Sequence, residues 1–386
     1  MKRLAIITTH PIQYYAPVFS LLHQQKKIEI KVFYTLGEAG LKQTDPGFGR
    51  SISWDIPLLQ GYPYQFQKNT AKNPGSDRFL GIKNPDLIKE IKSWKADAVL
   101  VYGWAYLAHL KAICYFKGKI PVFFRGDSTL LNRPSGWKAT LKNLFLKWVY
   151  KQVDHAFFVG KNNKDYFKKF GLKPYQLTFA PHAIDNERFA EDRSAEAASL
   201  RQKLGIEDEG ILILFAGKFE AVKNAALLLE GLERLNQQNT HLLLVGNGPL
   251  EKKLQAKKRL LKTASNIHFL DFQNQSAMPF IYQSCDLFCL SSNSETWGLA
   301  VNEAMACGKA VLVSDKVGCA ADLVLEEENG AIFQSGNADD LTQKLQFLCQ
   351  DKALLKQYGQ ASAQIIKNWN FINAVKAMQE KIVAYA

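Results

Sequence analysis

Short apolar runs bounded by turn residues alternate along this chain with longer stretches in which apolar residues recur every three or four positions. The runs at 4–9, 28–34, 98–102, 122–124 and 156–159 read as buried strands, and the periodic stretches between them as helices. Strand, loop, helix, strand is the opening of a doubly wound domain. A second series of the same kind starts at Ile211, with strands at 211–216, 242–245, 267–270, 287–290 and 310–314. A polar, charged stretch at 186–196 separates the two. The pattern predicts α/β architecture: two doubly wound Rossmann-like domains, residues 1–190 and 191–365, facing each other across a cleft. Residues 366–386 form a further helix, after a break near Trp369–Phe371. Phe371, Val375, Met378 and Ile382 lie at helical spacing there, and the helix is expected to cross back to the first domain.

Two segments break the regular alternation. Residues 36–84 are irregular and mix aromatics with turn residues (Asp45–Gly49, Trp54–Pro57, Gly61–Tyr62). A loop this long is usually functional, so a binding lip and a packed surface excursion are both open readings. Residues 137–150 read as a basic amphipathic helix in which Leu141, Leu144, Phe145 and Trp148 share a face and Lys138, Lys142 and Lys147 are interspersed. The expectation is that this face is core; contact with an anionic membrane surface is the alternative.

Composition narrows the class. With 386 residues, 47% hydrophobic and 12% aromatic, the chain fills real cores and is not disordered. Its formal net charge of +13 and pI near 9.3 imply anionic partners. No nucleic-acid recognition motif accompanies the charge, so no nucleic-acid partner is expected. The six cysteines form neither a Cys-x-x-Cys pair nor a zinc spacing, which fits a reduced, cytoplasmic setting. No apolar run of about 18 residues exists to span a membrane.

The candidate chemistry lies at strand ends. The run at 287–290 leads through a polar turn into a helical period carried by Leu299, Met305 and Ala306, with Gly308 as a stop. Glu295 is thereby placed at the carboxyl end of a strand, the edge at which open α/β sheets bind ligands, and Glu303 inside the following helix. The amides of Trp297, Gly298 and Leu299 offer donors and a partial positive charge to an anion. A continuous helix would separate the two glutamates by on the order of 12 Å, against roughly 5–9.5 Å for a hydrolytic carboxylate pair. That spacing suits two contacts on one long ligand, such as a nucleotide sugar; a solvated Glu295 and an exposed Glu303 are the plainer reading.

A second strand end carries Gly217, Lys218 and Lys223, where two ammonium groups would face a diphosphate or simply lie on a basic surface. Gly246 opens a tight turn, Gly246–Pro249, after another strand. In the first domain Arg125 and Asp127 follow a strand and either face a ligand or pair with each other. Neither a Gly-x-Gly-x-x-Gly nor a P-loop glycine pattern is present, which argues against dinucleotide binding and P-loop chemistry. No two aspartates stand two residues apart, so the usual Asp-x-Asp metal clamp is missing, and lysines with helix amides would have to neutralise a diphosphate without metal.

Taken together these stretches resemble the family-four retaining glycosyltransferases of GT-B fold. The resemblance rests on A-G-K-F-E-A-V-K-N, L-L-V-G-N-G-P-L, M-P-x-x-Y-x-x-C-D-L-F-C-L-S-S, E-T-W-G-L-A-V-N-E-A-M-A-C-G-K-A-V-L-V-S-D and E-N-G-A-I-F, in order across residues 210–335. The first half matches in outline, through H-P-I-Q-Y-Y and R-G-D-S. The resemblance implies catalytic roles for Glu295, Lys218, Lys223 and Asp127. It implies donor contacts from Glu303, Trp297, Gly298, Leu299, Gly217, Gly246, Phe272 and Met278, with Phe272–Met278 flanking the base, and an acceptor side at His10, Gln13, Tyr14 and Arg125. Departures from the family pattern are Lys218 for the usual Arg, Asn224 and Thr296 for Gly, and Gly318–Cys319 for Gly–Gly. The usual histidine of the first domain is replaced by Arg125–Gly126–Asp127. The implied activity is metal-independent, cofactor-free transfer of a hexose-type sugar from a UDP- or GDP-sugar to a saccharide or lipid-linked acceptor. The enzyme would be cytoplasmic and peripheral on the inner face of the membrane. A nucleotide-sugar-binding protein without turnover and a GT-B nucleotide-sugar epimerase are the alternatives.

Overall fold

The computed structural model describes residues 1–41, 44–45, 50–51, 53–132 and 136–385; residues 46–49 of the irregular stretch lie outside these. The described strands are β1 (Lys2–Thr8), β2 (Ile28–Tyr34), β3 (Thr44–Asp45), β4 (Arg50–Ser51), β5 (Tyr64–Phe66), β6 (Ala98–Tyr102), β7 (Val122–Arg125), β8 (His155–Phe158), β9 (Leu177–Phe179), β10 (Ile211–Ala216), β11 (Thr240–Val245), β12 (Ile267–Leu270), β13 (Leu287–Leu290), β14 (Ala310–Ser314) and β15 (Gly330–Phe333). They divide between two compact units. The first is Met1–Gln43, Ile56–His182 and Phe371–Ala386; the second is Thr44–Asp55 and Ala183–Asn370. The second unit therefore takes up part of the irregular stretch, which a division at a single point in sequence does not provide for.

The first unit is built on a parallel sheet ordered β5-β2-β1-β6-β7-β8-β9. Side chains alternate across a strand, and here both faces are covered. Leu4 and Ile6 join one core with Ile28, Ile30 and Val32, while Ala5 and Ile7 join the other with Val99, Val101 and Phe124. Burial on both faces is why these strands read as unbroken apolar runs. Helices Ala16–Gln24 and Phe371–Ala384 cover the first of these faces. Val375, Met378 and Ile382 of the last helix are buried beside Leu4 and Ile6, each contributing roughly 1.5–3 kcal/mol.

Helix Trp137–Lys151 corrects an expectation. Leu146, Val149 and Tyr150 face the core, whereas Leu141, Leu144, Phe145 and Trp148 are exposed. The helix carries apolar side chains on two opposite faces, and the sheet buries only one of them.

Two histidines of the first unit sit where protonation is costly. His109 is fully buried; its Nδ1 lies 2.9 Å from the Gly103 carbonyl and its Nε2 2.8 Å from the Thr35 hydroxyl. Burial lowers its pKa to about 4, against the pull of the Gly103 and Tyr102 carbonyls. His182 is lowered to about 3, by burial first and then by the Arg125 charge. The unfolded chain binds these protons near pH 6.5 and the folded chain does not. Their contribution is therefore complete above that value and is lost as pH falls toward 4. Each histidine is expected to cost about 2 kcal/mol of stability between pH 7 and pH 5. Denaturant titrations at the two pH values check this: in His109→Gln the difference between them should shrink by about 2 kcal/mol. An unchanged difference would refute it.

The second unit repeats the plan, as a parallel sheet ordered β12-β11-β10-β13-β14-β15. The chain winds outward from β10 to β12, then returns to β13 on the opposite side of β10. The strand order thus reverses between β10 and β13, and ligands of open α/β sheets bind at the carboxyl ends at such a point.

Candidate functional site

The carboxyl ends of β10 and β13 are stitched together by local hydrogen bonds. The loop after β10 carries Gly217, Lys218, Lys223 and Asn224; the loop after β13 runs from Ser291 to Gly298. The Ser291 hydroxyl donates to the carbonyls of Lys223 (3.1 Å) and Asn224 (3.0 Å), and the Asn293 amide to the Val222 carbonyl at 2.7 Å. Asn224 holds a left-handed conformation with φ of 50°, which Asn tolerates better than most residues. Its replacement of the glycine of the resembled family therefore keeps this backbone shape.

On this frame Lys223 and Glu295 form an ion pair, with side chains 23% and 16% exposed. The two candidates, 72 positions apart, are one unit at the sheet's reversal point. Lys218 is half-buried in the same loop.

The Glu295 loop is itself held by the loop after β14. Glu295 donates its amide to the Lys316 carbonyl and accepts from the Gly318 amide, both at 3.0 Å, and Cys319 donates to the Trp297 carbonyl at 2.9 Å. A Cβ on Gly318 would stand 1.9 Å from the Thr296 carbonyl oxygen, so only glycine permits this approach. At the next position Cys319 is fully buried, and a side chain is accommodated.

Helix Leu299–Ala306 begins only after Gly298, whose φ is 99°. Residues 295–298 are not helical, so the separation of about 12 Å inferred for a continuous helix does not apply. Among the described residues no acceptor is found for the amides of Gly298 and Leu299. The Trp297 side chain turns inward: its Nε1 donates to Asn302 Oδ1 at 2.9 Å and its ring lies 5.1 Å from that of Trp369. Glu303 is buried, 4% exposed, and accepts from the Tyr282 hydroxyl at 2.8 Å. The plainer reading, in which Glu303 lies on an exposed helix face, is corrected.

Gly246 serves packing: a Cβ there would stand 2.0 Å from the Gly217 carbonyl oxygen. Asn247, which the sequence did not single out, ties the ends of β11 and β12. Its side chain donates to Glu251 (3.0 Å) and Asp271 (3.1 Å) and accepts from the Phe272 amide (2.8 Å). Phe272 is half-buried, its ring 6.3 Å from that of Trp54. Asp55 accepts from the Ser276 amide and hydroxyl, so part of the irregular stretch lies against the 272–276 loop. Met278 is buried at the start of helix Met278–Ser284.

In the first unit His10, Gln13 and Tyr14 are half-buried after β1, the strand beside that sheet's own reversal, between β1 and β6. His10 Nδ1 lies 3.0 Å from the Thr9 hydroxyl. The placement of Arg125 as an acceptor-facing group is corrected. It is 4% exposed, and its two Nη atoms donate to the carbonyls of Ala180 and Pro181, each at 2.9 Å. A buried guanidinium needs such acceptors, and these carbonyls take two of its N–H donors. Asp127 acts on Tyr15, whose phenol is pushed above its ordinary pKa by burial and then by the Asp127 charge. Tyr15 closes the H-P-I-Q-Y-Y stretch, and its pairing with Asp127 is not visible in that motif. Among the described residues no group of three or more His, Cys, Asp or Glu is placed to hold a metal ion, and no helix is long and apolar enough to cross a membrane.

Two doubly wound units, with an ion-paired Lys–Glu and the Gly298 and Leu299 amides at the reversal point of the second, define an open, doubly wound α/β protein. Residues 196–365 match the family model described as "Glycosyl transferases group 1". The chain is 25% identical over 230 residues to a D-inositol 3-phosphate glycosyltransferase of Salinispora arenicola, covering 56% of this chain and 51% of that protein. It is 27% identical over 244 residues to the N,N'-diacetylbacillosaminyl-diphospho-undecaprenol alpha-1,3-N-acetylgalactosaminyltransferase of Campylobacter jejuni, covering 59% and 61%. The chain thus spans about half to three fifths of the length of these curated relatives. The fold matches that of Anabaena HepE, solved in complex with UDP and glucose, with a TM-score of 0.75 over 100% of both chains at 17% identity. The resemblance to group 1 glycosyltransferases and the two-unit fold read from the sequence are both borne out.

Proposed function

We propose that the protein is a retaining glycosyltransferase that moves a hexose-type sugar from a UDP- or GDP-sugar to a saccharide or lipid-linked acceptor. The observation that carries this reading is the Lys223–Glu295 pair at the reversal point between β10 and β13, beside the Gly298 and Leu299 amides. Lys223, Lys218 and the helix amides hold the diphosphate, Glu295 contacts hydroxyls of the donor sugar, and Glu303 binds the ribose. The bond from the anomeric carbon to the phosphate oxygen breaks, a bond to the acceptor oxygen forms on the same face, and the acceptor proton passes to the leaving phosphate. No protein base is required, and catalysis is electrostatic stabilisation of the departing diphosphate together with positioning. The Campylobacter relative, named for transfer to a diphospho-undecaprenol saccharide, supports a lipid-linked acceptor, and the Salinispora relative is named for a small polyol phosphate. Peripheral attachment to the inner face of an anionic membrane belongs to the same reading.

The test is incubation with a panel of nucleotide sugars and acceptors, following free nucleoside diphosphate and the anomeric configuration of the product. Acceptor-dependent release with retained configuration is expected. Tight nucleotide binding without release would leave a binding protein instead. Activity is also expected to persist in a chelator, because lysines and helix amides supply the positive charge. Loss of activity in EDTA with restoration by magnesium or manganese would overturn metal independence.

A further inference from the structure

Helix Trp137–Lys151 in the first unit keeps five large apolar side chains in water: Trp137 (70% exposed), Leu141 (57%), Leu144 (59%), Phe145 (40%) and Trp148 (46%). At 3.6 residues per turn these positions fall in one stripe about 100° wide, on the side of the helix opposite Leu146, Val149 and Tyr150. Lysines border it on both flanks. Lys138 and Lys142 lie along one edge, Lys147 and Lys151 along the other.

The second flank opens on a cavity of about 470 Å³, lined by Lys117, Lys147, Tyr150, Lys151, Lys169 and Gln176 among others. Lys117 is paired with Asp154. Among the described residues no carboxylate pairs with Lys147, Lys151 or Lys169. Helices Trp137–Lys151 and Lys161–Lys169 both end here, and each carboxyl terminus brings about half a negative charge. Three unpaired lysines against two such termini leave a net charge of about +2, which complements one phosphate group. The volume lies in the range of small-molecule sites, roughly 300–1,000 Å³.

We propose that this cavity receives the phosphate of an anionic lipid headgroup, and that the adjoining stripe lies in the headgroup–acyl boundary of the same leaflet. The cavity and the stripe share one helix flank, so a lipid satisfies both at once. A soluble anion would fill the cavity and leave two tryptophans, two leucines and a phenylalanine in water. Tryptophans backed by leucine and flanked by lysine are the side chains that membrane interfaces favour. The inference rests on the peripheral-membrane part of the reading above and is independent of the transfer chemistry.

The experiment is flotation of the full chain with vesicles of phosphatidylcholine alone and of phosphatidylcholine with phosphatidylglycerol. Three variants are compared with wild type: Lys147→Glu/Lys151→Glu/Lys169→Glu in the cavity, Lys138→Glu/Lys142→Glu on the other flank, and Leu144→Ser/Trp148→Ser in the stripe. Thermal melting and nucleoside-diphosphate binding, which use the other unit, confirm that each variant is folded. Wild type is expected to float with the anionic vesicles only. The cavity variant should lose about a hundredfold in affinity or more, since one lysine at an anionic surface is worth about fivefold. The opposite flank should lose distinctly less per lysine, and the stripe variant should lose flotation with the anionic vesicles. Equal loss per lysine on the two flanks would mean general surface charge and overturn the cavity. Tighter binding to soluble glycerol 3-phosphate than to vesicles would make the ligand soluble and overturn the lipid. Wild type that fails to float with anionic vesicles would remove membrane attachment and the cavity together, while leaving sugar transfer to its own assay.

Discussion

Lys223→Met is expected to lower kcat/KM for sugar transfer by about 10²–10³, the loss that follows removal of one preorganised donor at a developing charge. The structure adds a feature that a lone lysine would not have. Lys223 is held by Glu295, so removing its ammonium leaves that carboxylate beside the diphosphate of the donor. Two like charges about 4 Å apart repel by up to about 4 kcal/mol at an effective dielectric near 20. Glu295→Gln removes the holder and keeps the cation, and its loss should be smaller and fall mainly on kcat. The double variant Lys223→Met/Glu295→Gln should then be no worse than Lys223→Met alone, because the repulsion has gone with the carboxylate. Initial rates over a donor concentration series for the four proteins decide the matter. Losses that add in the double variant would mean that the two residues act apart and that the ion pair is incidental to turnover.

The strands and motifs were legible because their physics is local. A strand covered on both faces reads as an apolar run, so β1, β10, β13 and β14 stand out in the sequence. The edge strands β5 and β9 have three residues each and β15 opens on Gly330, so none presents the apolar run that marks the central strands. The motifs marked Lys223 and Glu295 separately, yet their pairing depends on the order β10-β13 and on Ser291 and Asn293 binding the loop after β10, which no spacing reveals. Arg125 misled for the same reason: the strand-end rule brings its backbone to the ligand edge, while the carbonyls that take its side chain come from Ala180 and Pro181. Helix Trp137–Lys151 misled in the other direction. Its apolar stripe was visible, but a second apolar face, centred on Leu146 and Val149, was what the sheet buried. Periodicity shows that a face is apolar and leaves open which of two faces meets the core.

Glu303→Ala is expected to weaken binding of a nucleoside diphosphate about 10- to 100-fold, the worth of a charge-assisted hydrogen bond of roughly 1.5–3 kcal/mol. A buried carboxylate is costly unless it is hydrogen-bonded. Glu303 accepts from Tyr282, and the proposed ribose hydroxyls would be further donors. Structural and binding roles are therefore mixed at this residue and need separate readouts. Tyr282→Phe keeps the carboxylate and removes one donor to it, so it should lower the melting temperature and change nucleotide affinity only a few-fold. Glu303→Ala should lower both, since the Tyr282 hydroxyl is left buried without its acceptor at a cost of about 1–3 kcal/mol. A 2′,3′-dideoxy nucleoside diphosphate separates the two effects. Against wild type it should bind about as weakly as the parent nucleotide binds Glu303→Ala, and against Glu303→Ala the two ligands should bind alike. Calorimetric titration of both ligands with both proteins completes the cycle. If Glu303→Ala melts earlier while binding the parent nucleotide within about twofold of wild type, Glu303 is a core carboxylate held by Tyr282, and the ribose lies elsewhere along the strand ends.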